Sequence, residues 1–168
     1  MTKQPSQSQK DVRAFIEKIV VNVGVGKLSQ NPQFADKGLP QVIRDIAAIT
    51  GQKPRTRPAK ISIAGFKVRE GTTVGLQVTL RQAKMVDFFE RLITIVLPRV
   101  HDFKGIANTA VDRGGTLNIG LKEQLIFPEI QAEDSPLTFP LGVNIVPRKK
   151  NRTEALAAYT RLGVPLKK

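Results

Sequence analysis

Four stretches of this chain alternate apolar and polar residues with a period of two, the spacing that puts successive side chains on opposite faces of a β-strand. They are residues 17–25 (EKIVVNVGV), 74–81 (VGLQVTLR), 116–122 (TLNIGLK) and about 141–146 (LGVNIV). Segments with helical spacing lie between and after them. Over about 39–50, Val42, Ile46 and Ile49 share a face, and Gly51 follows as a stop signal. Over about 82–97, Met85, Phe88, Phe89, Leu92, Ile93 and Val96 form one stripe that Pro98 ends. A last helix over about 153–162 has Asn151 or Thr153 as its cap and Leu156, Tyr159 and Leu162 on one face, with Gly163 and Pro165 beyond it. Strands and helices mix without strict βαβ alternation. This predicts an α+β fold: a single antiparallel-rich sheet with helices on one face and a polar face on the other.

The remaining segments set the organisation. Residues 1–16 are polar and Gln/Ser-rich and read as a short N-terminal arm, leaving 17–168 as a single domain. Residues 53–70 read as a proline-punctuated basic loop with a short extended piece at 60–64 (KISIA). Residues 104–115 and 131–140 read as loops, and 123–130 (EQLIFPEI) as an apolar patch without a definite type. A chain of 168 residues suits one domain with a sizeable core. It has no cysteine, which excludes a disulfide scaffold, a Cys-ligated metal and a thiol nucleophile. No apolar run approaches the ~18 residues of a membrane-spanning helix, and residues 1–13 lack a signal peptide's apolar stretch.

Charge narrows the function. Lys and Arg number 27 against 14 Asp and Glu, a net +13 that points to a polyanionic partner. The excess is concentrated. From Ile46 to Arg69 there is no acid, while Lys53, Arg55, Arg57, Lys60, Lys67 and Arg69 are basic. A second cluster is Arg148, Lys149, Lys150 and Arg152, and Lys167 and Lys168 follow.

The alternation also sorts each strand's faces. Ile19, Val21, Val23 and Val25 oppose Lys18, Val20, Asn22 and Gly24. Leu76, Val78 and Leu80 oppose Gly75, Gln77, Thr79 and Arg81. Leu117, Ile119 and Leu121 oppose Asn118, Gly120 and Lys122, and Val143 and Ile145 oppose Gly142 and Asn144. The polar set contains cations, amides and a hydroxyl but no carboxylate, as suits a surface that meets phosphates. Its glycines would let a nucleic-acid backbone come close. Aromatic residues are only 5% of the chain and none is in the polar set, which disfavours stacking of single-stranded bases. Structured RNA, read through phosphates, 2′-hydroxyls and shape, fits better.

Catalytic patterns fail. Gly24-Val25-Gly26 follows a strand, but Ser29 stands where a dinucleotide fingerprint needs its third Gly, and Leu28 follows Lys27 where a P-loop needs Ser or Thr. The reading is a tight strand-end turn. His101, the one histidine, precedes Asp102, but no activated nucleophile accompanies the pair, and adjacent residues seldom hold the geometry of a base and its orienting carboxylate. Glu129, Glu133 and Asp134 lack metal-ligand spacing. No catalytic or metal site and no cofactor is expected.

Several strings together resemble a known family. They are Glu17–Ile19 with Asn22–Gly26, Thr50–Pro54, Ser62–Gly71, Val78–Arg81, Leu97–Gly105 and Leu121–Ile130. In this order they are similar to the bacterial-type family of large-subunit ribosomal protein five, over about Glu17 to Lys168. The resemblance implies a structural, non-enzymatic constituent of the large ribosomal subunit that attaches 5S rRNA in the central protuberance. It implies buried hydrogen bonds from Asn22, Gln52 and Thr79 to the 5S rRNA backbone. Lys18, Lys53, Arg55, Arg57, Lys60, Gln77 and Arg81 complete the expected RNA-binding set. It also implies contacts with large-subunit rRNA and a loop from Gly65 to Gly75 that reaches P-site tRNA, with Lys67, Arg69, Gly71, Thr72 and Thr73. A bridge to small-subunit protein thirteen falls to the loops around 104–115 and 131–140.

The chain departs from the family in three places. The family's extra helix before the first strand is expected to be missing, with only a polar arm in its place. Val111–Leu117 and Val146–Lys150 also differ from the family pattern, the latter replacing an uncharged strand end with three cations. The lack of an Arg/Ser-rich presequence favours a cytoplasmic ribosome over an organellar one. Against this reading stand a non-specific DNA-binding protein, which shares the charge, and a phosphate-substrate enzyme using the Gly24–Gly26 turn.

Overall fold

Each alternating stretch becomes a strand of one sheet. In the computed structural model β1 (Ile16–Gly24), β2 (Arg55–Pro58), β3 (Thr73–Leu80), β4 (Leu117–Leu121) and β5 (Leu141–Pro147) form a five-stranded antiparallel sheet in the order β2-β3-β1-β5-β4. The structure describes residues 7–31, 33–66 and 68–167; Lys67 and Lys168, named above, lie outside the described residues. The apolar positions predicted to face inward are buried in all four long strands, from Ile19, Val21, Val23 and Val25 to Val143 and Ile145. The α+β expectation with one sheet holds.

β2 is the strand that alternation did not predict. All four of its residues are exposed, so no apolar signal marks it. Its partner supplies the order: Arg55 pairs with Gln77, Thr56 with Leu76, Arg57 with Gly75 and Pro58 with Thr73. The extended piece expected at 60–64 is not a strand of the sheet. There Ile63 alone bridges to Val68.

The helices depart from expectation where tertiary contacts intervene. α1 (Gln7–Phe15) occupies the segment read as a polar arm, and it precedes the first strand as the family's extra helix would. Its polar composition conceals it. Val12 is buried and the Gln9 amide donates to the Glu90 carboxylate at 3.2 Å, so packing on a distant helix holds it. α2 (Leu39–Thr50) runs as predicted and ends at Gly51, whose left-handed φ of 65° lets its N–H return to the Ala47 carbonyl at 2.8 Å.

The predicted 82–97 helix is α3 (Gln82–Arg91), a π-helical turn (Leu92–Val96) and α4 (Leu97–Arg99) in succession. Pro98 does not stop it but sits within α4, directly after the π-helical turn. The wider π turn adds a residue and rotates the stripe. Leu92, Val96 and Leu97 are therefore buried, while Ile93 is only half-buried and Ile95 is exposed. In α5 (Arg152–Arg161) the cap is Asn151, whose Oδ1 accepts from the Thr153 and Glu154 N–H groups at 3.0 and 3.4 Å. Its buried face is Ala155, Ala158 and Tyr159, with Leu156 and Leu162 half-buried.

The chain packs as two compact units. One comprises residues up to Val20, Thr79–Ile119 and the chain from Val143 on. Its centre is Tyr159, whose ring meets Phe15 edge-on at 5.1 Å and whose hydroxyl lies 2.9 Å from the Gly115 carbonyl and 3.0 Å from that of Ile145. The other comprises Val21–Val78 and Gly120–Gly142. Its centre includes a buried polar cluster. Ser135 donates to Asp45 at 2.5 Å, and the Gln41 and Gln124 amides donate to the Ser135 hydroxyl at 2.8 and 3.0 Å. Gln124 also spans the backbone, donating to Leu137 at 2.7 Å and accepting from Phe139 at 2.9 Å. The patch at 123–130 thus contains a 3₁₀ turn, Gln124–Ile126, that places a wholly buried amide.

Candidate nucleic-acid interface

In the second unit the acid-free stretch becomes an exposed edge of the sheet. Because β2 has no buried residue, Arg55 and Arg57 both lie open to solvent, with Lys53 before them and Lys60 after. Arg57 is held: its Nε donates to the Gln77 Oε1 at 2.9 Å and its Nη2 donates to the same oxygen. A guanidinium fixed in this way keeps donors for a phosphate and loses less rotamer freedom on binding one. Gln52 is exposed just past the α2 stop. The Thr50 hydroxyl ties the turn, lying 2.7 Å from the Ile46 carbonyl and accepting from the Gln52 N–H at 3.4 Å. Asn22 is half-buried on β1, opposite the buried valines.

The Gly65–Gly75 region is the end of a hairpin that prolongs β2 and β3. Ala59 N–H donates to Thr72 at 2.8 Å, and Ile63 and Val68 exchange bonds of 2.9 and 3.2 Å. Gly71 has φ 82° and donates back to Ala59 at 3.0 Å, a turn that a side chain would strain. Arg69 and Gly71 are exposed, and Thr72 and Thr73 are half-buried. Ile61 and Ile63 stand out on this hairpin at 71% and 48% exposure.

In the first unit the structure corrects the reading of an acid-free polar face. Alternation slips at the start of β1: Ile16 and Ile19 are both buried, so Glu17 and Lys18 are half-exposed in succession. Glu17 Oε1 lies 3.5 Å from both Lys18 Nζ and Arg81 Nη1. The Lys18 ammonium first, and hydrogen bonds from Arg81 and Lys18, hold the Glu17 carboxyl below its usual range against an opposing effect of burial. Two of the expected phosphate-binding cations therefore carry an internal counter-charge. Strict period-two counting hid it, and the adjacent polar pair at the strand start was the available signal.

Thr79 is half-buried on β3, and Arg81, expected to end that strand, lies one residue beyond it with extended backbone ahead of α3. Asn144 donates across the strands to Asn118 at 2.5 Å, while the Asn118 amide lies 3.3 Å from the Ala110 carbonyl. One bond joins these two amides, and the Asn118 N–H groups turn to the backbone carbonyls of Ala110 and Thr116. Of the polar-set glycines, Gly24 and Gly120 leave open space, whereas a side chain at Gly75 would crowd the Val23 carbonyl at 3.3 Å.

The motifs set aside as non-catalytic have structural explanations. After Gly26, the Ser29 hydroxyl donates to the Gly26 carbonyl at 2.8 Å and closes the turn. His101 and Asp102 do pair, contrary to the expectation for neighbours, with Nδ1 2.9 Å from Oδ2. Asp102 adopts φ 55°, and both side chains are almost wholly in solvent, so the pair faces no enclosed site.

Comparison with known proteins covers nearly the whole chain. A family model described as ribosomal protein L5 matches residues 12–69, and one described as the ribosomal L5P family C-terminus matches residues 73–166. The large ribosomal subunit protein uL5 of Macrococcus caseolyticus is 45% identical over 153 residues, which is 91% of this chain and 83% of the relative. That of Fusobacterium nucleatum is 42% identical over 153 residues, 91% of this chain and 81% of the relative. The uL5c protein of Gracilaria tenuistipitata is 45% identical over 148 residues, 88% of this chain and 80% of the relative.

Proposed function

The chain belongs to the ribosomal L5 family and is a structural, non-enzymatic constituent of the large ribosomal subunit, and from this we propose that it anchors 5S rRNA through the residues just described. Membership in the family carries rRNA binding with it. The observation that supports the finer reading is Arg57 held on Gln77 at the wholly exposed β2, within a stretch from Ile46 to Arg69 that has no acid.

In this reading Lys53, Arg55, Arg57 and Lys60, with Lys18 and Arg81, supply the salt-sensitive phosphate attraction. Asn22, Gln52, Gln77 and Thr79 add directed hydrogen bonds that set register on the RNA backbone. The hairpin bearing Arg69, Gly71, Thr72 and Thr73 reaches towards P-site tRNA. The loops around 104–115 and 131–140 meet small-subunit protein thirteen across the subunit bridge, and further contacts go to large-subunit rRNA.

The test is binding to 5S rRNA at about 150 mM salt with excess tRNA and duplex DNA as competitors, a salt level at which non-specific attraction is already weakened. Retained tight binding, lowered by Thr79→Val through about 1–3 kcal/mol, supports the reading. Equal competition by every polyanion overturns it.

A further inference from the structure

In the second unit a groove of about 710 Å³ lies between the turn after β1, the start of α2 and the 131–140 loop. That volume suits a small-molecule ligand. None of the residues assigned to 5S rRNA lines it. Gln41, which does, stands in the first turn of α2, whereas Gln52 follows the last turn, roughly 16 Å away at about 1.5 Å of rise per residue.

Its walls come from a helical irregularity. A π-helical turn, Phe34–Gly38, runs directly into α2, and such turns are frequent at functional sites. Gly38 has no room for a side chain: a Cβ there would collide with the Phe34 ring and stand 2.9 Å from Leu137. Phe34 and Leu137 therefore close on the backbone, and with Leu28 and Pro136 they give the groove an apolar bed. Lys27, Lys37 and Arg44 are exposed around it, against one lining acid, Asp134. Arg44 is held, its Nη2 donating to the Asp134 backbone carbonyl at 2.7 Å and its Nε 3.9 Å from Asp45, which leaves other donors of the fork available. One lining polar side chain is buried. Gln41 is 8% exposed, and its amide nitrogen is committed to the protein, 2.8 Å from the Ser135 hydroxyl, 3.2 Å from the Leu137 carbonyl and 3.3 Å from Asp45. Its Oε1 accepts no hydrogen bond among the described residues, so an occupant with an N–H donor would satisfy it.

Each feature selects part of a ligand. The apolar bed suits a flat ring, the three cations suit an anion, and the buried acceptor requires a donor. A phosphodiester backbone has no apolar face to lay on Phe34, and a fatty anion has no N–H for Gln41. A purine mononucleotide has the ring, the N–H on its edge and the phosphate. We propose that this groove binds a free purine mononucleotide, with the base on Phe34 and Leu137, its edge N–H donating to Gln41 Oε1, and the phosphate among Lys27, Lys37 and Arg44. This goes beyond the anchoring of 5S rRNA and does not depend on it.

The test titrates the full chain with AMP and reads the backbone and side-chain amides by two-dimensional NMR. Saturable binding is expected with a Kd on the order of 100 μM, fitting a ligand of about 23 non-hydrogen atoms, and with shifts centred on Gly38, Gln41 and Leu137. The AMP analogue whose exocyclic amine is dimethylated has no edge N–H and should bind at least about fivefold more weakly. This probe spares the buried cluster that a Gln41 substitution would disturb. K27Q/K37Q, whose thermal unfolding is checked against the parent, should weaken AMP about three- to tenfold and leave adenosine, which has no phosphate, within about twofold. No saturation below about 5 mM AMP overturns the proposal, as do equal affinity for the dimethylated analogue and unchanged affinity in K27Q/K37Q. Displacement of AMP by 5S rRNA also overturns it, because the groove is then part of the RNA surface. A chain that does not prefer 5S rRNA overturns the earlier reading alone, while the AMP titrations still decide this one.

Discussion

Arg57 and Gln77 face each other across β2 and β3, with the guanidinium Nε 2.9 Å from the amide oxygen. This contact orders an exposed cation of β2 and points the Gln77 oxygen at protein. A double-mutant cycle with R57A and Q77L, read by 5S rRNA affinity, should be non-additive by about 0.5–3 kcal/mol, as is usual for residues in direct contact. Additive losses would mean that the two act on RNA independently.

Glu17 should restrain RNA binding, because its carboxylate lies 3.5 Å from both Lys18 and Arg81. E17Q is expected to tighten rRNA binding about 1.5–5-fold, the range set by exposed ion pairs. The effect has a pH sign. The Glu17 carboxyl is held below its usual range, so the charge persists above that range and is lost as pH falls through the lowered value. The ratio of variant to parent affinity should therefore approach one only in strongly acid buffer.

Tyr159 should be a stability residue. Its hydroxyl meets the carbonyls of Gly115 and Ile145, and burial first, then the charge of Asp112, push its ionisation well above the ordinary range, so it stays neutral. Y159F leaves those buried acceptors short of a donor and should cost about 1–3 kcal/mol in chemical denaturation. A loss under about 0.5 kcal/mol would show that the carbonyls find other partners.

Ser135 is the shared member of the buried cluster, donating to Asp45 and accepting from Gln41 and Gln124. S135A removes a donor from a buried carboxylate and an acceptor from two amides at once. An expected loss of about 1–3 kcal/mol should appear with increased hydrogen exchange at Phe139, whose N–H is held by Gln124. Exchange that rises only at the surface would place the cluster outside the stabilising core.

Much of this site is visible before folding. Arg55, Arg57 and Lys60 stand in an acid-free run, and Asn22 and Thr79 fall opposite apolar residues by simple alternation. What stayed hidden depends on contacts distant in sequence. β2 has no buried side chain, so its strand character comes from pairing with β3 some twenty residues on, as between Arg57 and Gln77. α1 looks like a tail until Val12 is buried and Gln9 reaches Glu90.

Local pattern alone determined the four long strands, α2 with its Gly51 stop, and the charge that points to RNA. Those properties follow from side-chain spacing and from a backbone preference at one residue. Tertiary structure decided the rest. A π turn moved the α3 stripe from Ile93 towards Leu97, and a slip at Ile16 turned Glu17 outward beside Lys18. Packing chose Tyr159 and two alanines as the buried face of α5. In each case the periodicity was sound, but burial and long-range hydrogen bonding are worth more than the small local preference they displaced.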